Sequence, residues 1–223
     1  HLCVGGSALD LSSDDIVLMS TLAQRSYADT VHGEGIADRL VSSVEIIQDL
    51  SFQKHYIIDP ERLESKQQAT WGAVFYNADH QYLIVAYHGS HWLQDWVDDF
   101  KVSLKLASEA LDPDAQGQVH DGFSGIIGRT RDALRQAIHA ALGGRDPDEN
   151  DKVFFTGHSL GGGLAMMAAP LLAHEYHLPR DCVKAITFSA PRSVIGDATF
   201  VQQAEERLGL ENILCFSTKE DIV

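Results

Sequence analysis

The sequence predicts an α/β fold with a mostly parallel central sheet flanked by helices, and three observations carry that expectation. Strand-like runs at Val153 to Thr156, Val183 to Phe188 and Ile213 to Phe216 alternate with helical ones at Ile126 to Leu142, Leu160 to Tyr176 and Thr199 to Leu208. That alternation is the pattern of parallel strands joined by helical crossovers. At 223 residues with 44% hydrophobic content, the chain can bury the core of one such domain over residues 1–223 and needs no second. Finally, Val153-Phe154-Phe155-Thr156-Gly157-His158-Ser159-Leu160-Gly161-Gly162-Gly163 runs from an apolar strand through a glycine-flanked serine into an alanine-rich helix.

The remaining elements follow in order. Ser12 and Ser13 before Asp14 and Asp15 form a helix start, and Val17, Leu18, Leu22 and Ala23 recur at helical spacing, so a helix is expected from about Ser13 to Tyr27. Residues 29–70 carry no clear pattern beyond a possible short strand near Tyr56-Ile57-Ile58. Trp71 to Tyr76 and Tyr82 to Tyr87 read as an antiparallel hairpin around the polar turn Asn77-Ala78-Asp79-His80. Val102, Leu104 and Leu106 alternate with Ser103, Lys105 and Ala107 and suggest another strand. Leu111 to Gly117 is rich in turn formers, and Gly143-Gly144 stops the helix before it. Repeats and low-complexity tracts are absent.

The balance of 17 basic against 32 acidic residues, a net charge of −15, repels nucleic acid and disfavours anionic lipid surfaces, leaving neutral substrates or zwitterionic interfaces. No stretch approaches the roughly 20 apolar residues of a membrane span, and the N-terminus lacks a signal-peptide layout. Because the first residue is His1, processing or truncation before it is expected, and the sequence leaves compartment and oligomeric state open. Cys3, Cys182 and Cys215 are too few and too widely spaced for a disulfide framework or a zinc site, so Cys182 and Cys215 are expected in the core. His88 with His91, and His174 with His177, lack accompanying carboxylates or thiolates, so neither a metal nor another cofactor is expected.

The serine turn carries chemistry. A strand that turns sharply into a helix holds its serine in a strained conformation, and side chains two residues to either side would collide, which explains Gly157 and Gly161. Ser159 is thereby expected to stand exposed above the sheet as the nucleophile of a serine hydrolase. Such an enzyme needs donors for the oxyanion, a histidine base and an orienting acid. The Leu160 amide, at a helix start where N–H groups are unpaired, supplies one donor. The strand end Tyr87-His88-Gly89-Ser90 is where the second would arise.

At these residues the chain resembles the class 3, or fungal-type, lipases of the α/β-hydrolase superfamily. Members pair an aromatic-Arg-Gly-Ser/Thr motif with Gly-His-Ser-Leu-Gly-Gly, which here read Tyr87-His88-Gly89-Ser90 and Gly157-His158-Ser159-Leu160-Gly161-Gly162. Val119-His120-Asp121-Gly122-Phe123, Thr187-Phe188-Ser189-Ala190-Pro191-Arg192 and Lys219-Glu220-Asp221-Ile222-Val223 follow in family order. The resemblance implies an α/β-hydrolase fold and a lipid-like ester as substrate, with transient contact to a lipid interface. It makes Ser90 an oxyanion donor from backbone and hydroxyl, Asp99 that hydroxyl's anchor, and Asp221 the catalytic acid. His120 is expected to pack beneath the site, and His158 to be structural. His88 departs from the family's arginine, Ser189 from a glycine, and Pro191-Arg192 runs into Ser193-Val194-Ile195-Gly196-Asp197. An exported protein is what the family favours.

Between Trp92 and Phe100 apolar and polar pairs alternate, so Trp92, Leu93, Trp96, Val97 and Phe100 share one helical face. This is an ordinary core-packed helix or, as the resemblance implies, a lid over the acyl site spanning about 91–100. Triads of this fold run serine, acid, histidine, and no histidine follows Asp221. The base is therefore expected beyond residue 223, with the domain truncated after Asp221 and the residues given weakly active or inactive by themselves. The competing reading is a catalytically silent, lipase-like binding module. Triacylglycerol lipase, phospholipase A1 and simple esterase activities are not separated by these residues.

Overall fold

The computed structural model describes residues 13–25, 52–59, 61, 70–89, 103–191 and 195–217. Helix α1, Ser13–Arg25, begins where the serine-aspartate cap predicts; residues 26–27 of the expected helix lie outside the described residues. Strand β1, Gln53–Ile58, includes the short strand suggested near Tyr56-Ile57-Ile58 and begins three residues earlier, with Ile57 buried and Tyr56 and Ile58 exposed. Strands β2, Thr70–Asn77, and β3, Tyr82–Tyr87, form the expected hairpin, with Asn77 opposite Tyr82. The Asn77 side chain accepts the His80 amide at 2.9 Å across the turn.

The short β4, Leu104–Leu106, matches the expected alternation but stays out of the central sheet. After a single turn of helix, α2, Ala107–Ala110, it pairs antiparallel with β5, Gln118–His120. Helix α3, Asp121–Ala141, starts five residues before the expected Ile126, because the His120 ring caps it by accepting the Gly122 amide at 3.0 Å. Strand β6, Lys152–His158, runs into α4, Leu160–Glu175. β7, Val183–Phe188, lies where expected, as does α5, Ala198–Leu208, whose Asp197 cap accepts the Phe200 amide at 2.9 Å. β8, Ile213–Phe216, completes the described sheet.

Among the described residues, six central strands are ordered β1-β2-β3-β6-β7-β8. The first two pairings are antiparallel, whereas β3-β6, β6-β7 and β7-β8 are parallel. Alternation along each strand divides the core in two. Phe75, Ile84, Ala86, Phe154, Ile186 and Leu214 pack with Leu18, Met19 and Leu22 of α1 on one face. Val74, Leu83, Val85, Val153, Phe155 and Ala185 pack with apolar residues of α3 and α4 on the other. Phe154 and Phe155 are thus both buried, on opposite faces of β6. The two described cysteines are only half-buried, contrary to expectation: Cys182 caps the entry to β7 at the rim of the core, and Cys215 sits on the last described strand, with no described neighbour beyond it.

The rim strand β1 is tied down by a polar anchor. Asp59, fully buried, accepts from Trp71 Nε1 and from Arg129 Nε, both at 3.2 Å, and from the Glu61 amide at 3.1 Å. Burial alone would raise its carboxyl, but the bonds from Trp71 and Arg129 outweigh it and hold the group below its ordinary value. A carboxylate so depressed stabilises the fold above its unfolded titration, and that contribution is lost as pH falls through the folded one. Asp59→Ala should therefore cost on the order of 3 kcal/mol at pH 7 by urea denaturation. The gap from wild type should narrow below about pH 4; a gap unchanged at acid pH would remove the anchor from the account.

Candidate active site

The parallel strands place their carboxyl ends on one edge, with Tyr87 level with Gly157, His158 with Phe188, and Phe188 with Phe216. That edge is where open α/β sheets gather functional groups. Gly89, Ser159, Ser189 and Ser217 each follow one of these ends directly or within two residues.

Ser159 bridges β6 and α4 with φ 54° and ψ −123°, a left-handed φ that a residue with a Cβ adopts only under strain. Its amide donates to the Phe188 carbonyl at 2.9 Å, and its carbonyl accepts from Gly162 and Gly163 at 2.9 and 3.2 Å. Its side chain makes no capping bond to α4, so Oγ is not spent on the helix it begins. The Leu160 amide belongs to the first turn, whose N–H groups find no carbonyl within their own helix.

The two flanking glycines are required by close approach. A Cβ on Gly157 would run into the Gly161 carbonyl group, and one on Gly161 would strike the Tyr87 carbonyl and lie 2.7 Å from the His88 carbonyl carbon. The next two glycines also meet neighbours. A Cβ on Gly162 would lie 2.7 Å from that of Ala190, and one on Gly163 would lie 2.6 Å from the Phe123 ring. Ser159 is only 6% exposed, not standing open above the sheet as expected, and Ala190 lies close against Gly162 in the first turn of α4.

Ser189, where the family motif has glycine, itself sits at φ 50°, with its amide donating to the Phe216 carbonyl at 2.6 Å. The serine keeps a glycine-like conformation at a cost of about 1 kcal/mol. The Phe188 carbonyl and the Ala190 approach are features that sequence reasoning missed; the run of three glycines at 161–163 was their signal.

His120 is buried and stands edge-on to Phe123 at 5.3 Å. Burial pushes its titration down, against the opposing pull of Asp121. Its Nδ1 is committed to capping α3, which fits packing beneath the site. His158 is exposed at the end of β6, so it packs little. Ser90, Asp99, Asp221, His91 and the expected lid residues Trp92, Leu93, Trp96 and Val97 lie outside the described residues.

Among the described residues, Asp112, Asp114 and His174 bring their ligand atoms within 4.8 Å of one another, so His174 has carboxylates beside it, contrary to expectation, in a cluster that could hold a metal. Asp112 already pairs with Arg131 at 3.4 Å and accepts the Asp114 amide. His174 lies at the opposite end of α4 from Ser159, about 22 Å along the axis.

A mostly parallel sheet with a strand-serine-helix elbow at its carboxyl edge defines the α/β-hydrolase fold. The model of the family described as lipase (class 3) matches residues 84–223, and the chain belongs to that family. Phospholipase A1-IIgamma of Arabidopsis thaliana is 29% identical over 159 residues, 61% of this chain and 36% of that one. Phospholipase A1-II 1 of Oryza sativa subsp. indica is 28% identical over 132 residues, 53% and 33% of the two chains. The chain thus spans about a third of the length of these curated relatives. Among solved structures, the triacylglyceride lipase of Rhizomucor miehei superposes with a TM-score of 0.66 at 19% identity, covering 93% of this chain and 71% of the other. M37 lipase gives 0.66 at 16% identity, with 93% and 67% covered. At such identities the superpositions show the shared fold.

Two substitutions should move stability in opposite directions. Gly161→Ala puts a methyl group into the β3 backbone and should cost about 1 to 3 kcal/mol. Ser189→Gly relieves a strained φ and should add up to about 1 kcal/mol. Equilibrium denaturation of both variants checks the pair, and a neutral Gly161→Ala would contradict the close approach.

Proposed function

We propose that the protein hydrolyses carboxylic esters of lipid-like substrates, in the manner of a triacylglycerol lipase or a phospholipase A1, with Ser159 as nucleophile. The observation that carries the proposal is the left-handed Ser159 between β6 and α4, its Oγ uncommitted to capping, beside the first-turn amide of Leu160. Membership of the class 3 lipase family and relatives named as phospholipases A1 support it.

Ser159 Oγ attacks the acyl carbonyl carbon while a histidine takes its proton, and the carbonyl oxygen becomes an oxyanion. The Leu160 and Ser90 backbone amides donate to that oxygen, while the Ser90 hydroxyl donates to Asp99, which anchors it. Collapse expels the alcohol, which takes the proton from the histidinium that Asp221 orients. Water then repeats the sequence in reverse and frees the acid. The net charge of −15 favours neutral or zwitterionic lipids over anionic ones.

In the full-length protein, Ser159→Ala should abolish hydrolysis, with a loss on the order of 10⁶ in turnover, while the circular dichroism spectrum stays unchanged. A fluorophosphonate probe should label the parent protein at Ser159 and leave the variant unlabelled. A folded full-length protein that neither turns over esters nor takes the probe would instead be a silent binding module.

The segment about 91–100 acts in this proposal as a lid whose Trp92 and Trp96 meet lipid on opening. Rates measured across the solubility limit of an ester should jump, and the double variant Trp92→Ser with Trp96→Ser should flatten the step. Smooth saturation in both proteins would make the segment a fixed core helix.

A further inference from the structure

The residue before Gly89 is a histidine with an unusual demand on its ring. His88 is 3% exposed at the end of β3, with Nδ1 2.7 Å from the Gly89 carbonyl oxygen and Nε2 against the carbonyl oxygen of Thr70 on β2. Carbonyl oxygens only accept. A neutral imidazole has one N–H and one lone pair, so in either tautomer a ring nitrogen would face an oxygen lone pair with one of its own. Only the imidazolium donates to both.

A buried cation is costly, and the surroundings supply what offsets it. Both bonds become charge-assisted. The ring stacks on the Trp71 indole, centroids 5.6 Å apart and planes 11° from parallel, an arrangement that attracts a cation to the indole face. The far edge of that indole donates to the Asp59 carboxylate. Among the described residues, the charged groups this stack reaches are Asp59 after β1, Arg129 of α3, which shares Asp59, and Glu61, 3.6 Å from Arg129. From α4, Gly161 meets the His88 backbone and brings no charge. Tyr87, the neighbour on β3, is kept neutral, since burial pushes its hydroxyl well above the ordinary range.

We propose that His88 is a positioning residue of the oxyanion loop, its doubly protonated ring clamping the Gly89 carbonyl to β2 and so fixing the backbone that enters Ser90. The proposal rests on the reading of Ser90 and Leu160 as oxyanion donors. At this position the family motif carries arginine. His88 keeps the positive charge and adds a proton that can leave. The clamp is in place while both nitrogens hold protons and is lost as pH rises through the ring's titration. The histidine that accepts the Ser159 proton works in the opposite sense, since it must be neutral to act. Turnover should therefore be bell-shaped in pH, with His88 setting the alkaline fall.

Two measurements test this. Nitrogen-15 NMR of the imidazoles in the Ser159→Ala protein, with His88→Gln for assignment, should show both His88 nitrogens bearing protons at neutral pH. A single neutral tautomer there overturns the proposal. In the active protein, His88→Gln should lower kcat roughly 10-fold to 10²-fold with little change in KM, as expected for a displaced oxyanion donor. His88→Arg should restore kcat and remove the alkaline fall. An alkaline fall that persists in His88→Arg overturns the clamp. If His88→Gln fails to fold, the His88→Arg profile and the spectrum of Ser159→Ala, assigned against His88→Arg, decide the matter. A full-length protein that neither hydrolyses esters nor takes the fluorophosphonate probe overturns the hydrolase reading itself. An active, labelled parent with a neutral His88 overturns only the clamp.

Discussion

The site depends on backbone meeting backbone where three elements converge. Gly161 in the first turn of α4 lies against the carbonyls that end β3, and Gly157 at the end of β6 lies against Gly161. With no side chain between them, the helix can start close enough to the sheet edge for the Ser159 amide to reach the Phe188 carbonyl at 2.9 Å. That bond in turn relates the elbow to β7 and to the Ser189 turn. Moving any one of the three would change the geometry at the serine. Strain at Ser159 persists because the packed glycines around it leave the backbone no relaxed alternative.

Two positions show how a hydrolase frame absorbs unfavoured residues. Ser189 holds a conformation that glycine takes freely, its amide kept in place by the Phe216 carbonyl. His88 stands in a buried polar niche made of Thr70, Gly89 and Trp71, and Trp71 is itself bonded to Asp59. The Asp59 anchor thus belongs to the same chain of contacts that leads to the sheet edge. It joins α3 to β2 through Arg129 and Trp71.

Much of the central frame was legible because its residues answer to one constraint each. β6, β7 and β8 are short apolar runs, and the β2-β3 hairpin has a polar turn between two such runs, so their positions follow from composition. β1 was hard to read because Gln53, Lys54 and His55 make it polar and only Ile57 is fully buried. The start of α3 was hidden by Gly122, Gly125 and Gly128, poor helix formers, and by a histidine acting as cap. That β4 pairs with β5 rather than joining the main sheet is tertiary, and alternation along Leu104 to Leu106 carries no information about it. At the site, Gly157 and Gly161 made Ser159 readable. Its burial was not, because exposure depends on packing between distant parts of the chain, which a local motif does not carry. The two carbonyls around the His88 ring include one from Thr70, eighteen residues earlier, which no local pattern reveals.

The strand order also governs how the molecule can assemble. β2 and β3 are joined by a tight turn and can pair as soon as they exist, but β6 must slot beside β3 after residues 88–151 have been threaded past. Such distant pairing carries a large loop-closure cost and slows folding. The hairpin is therefore a natural template, and the parallel half of the sheet a later addition. The Phe188 carbonyl that holds the Ser159 amide belongs to β7, so the contacts around the left-handed turn are complete only with β6 and β7 both in place. A chain emerging from the ribosome would carry the serine for many residues before it had the geometry to react.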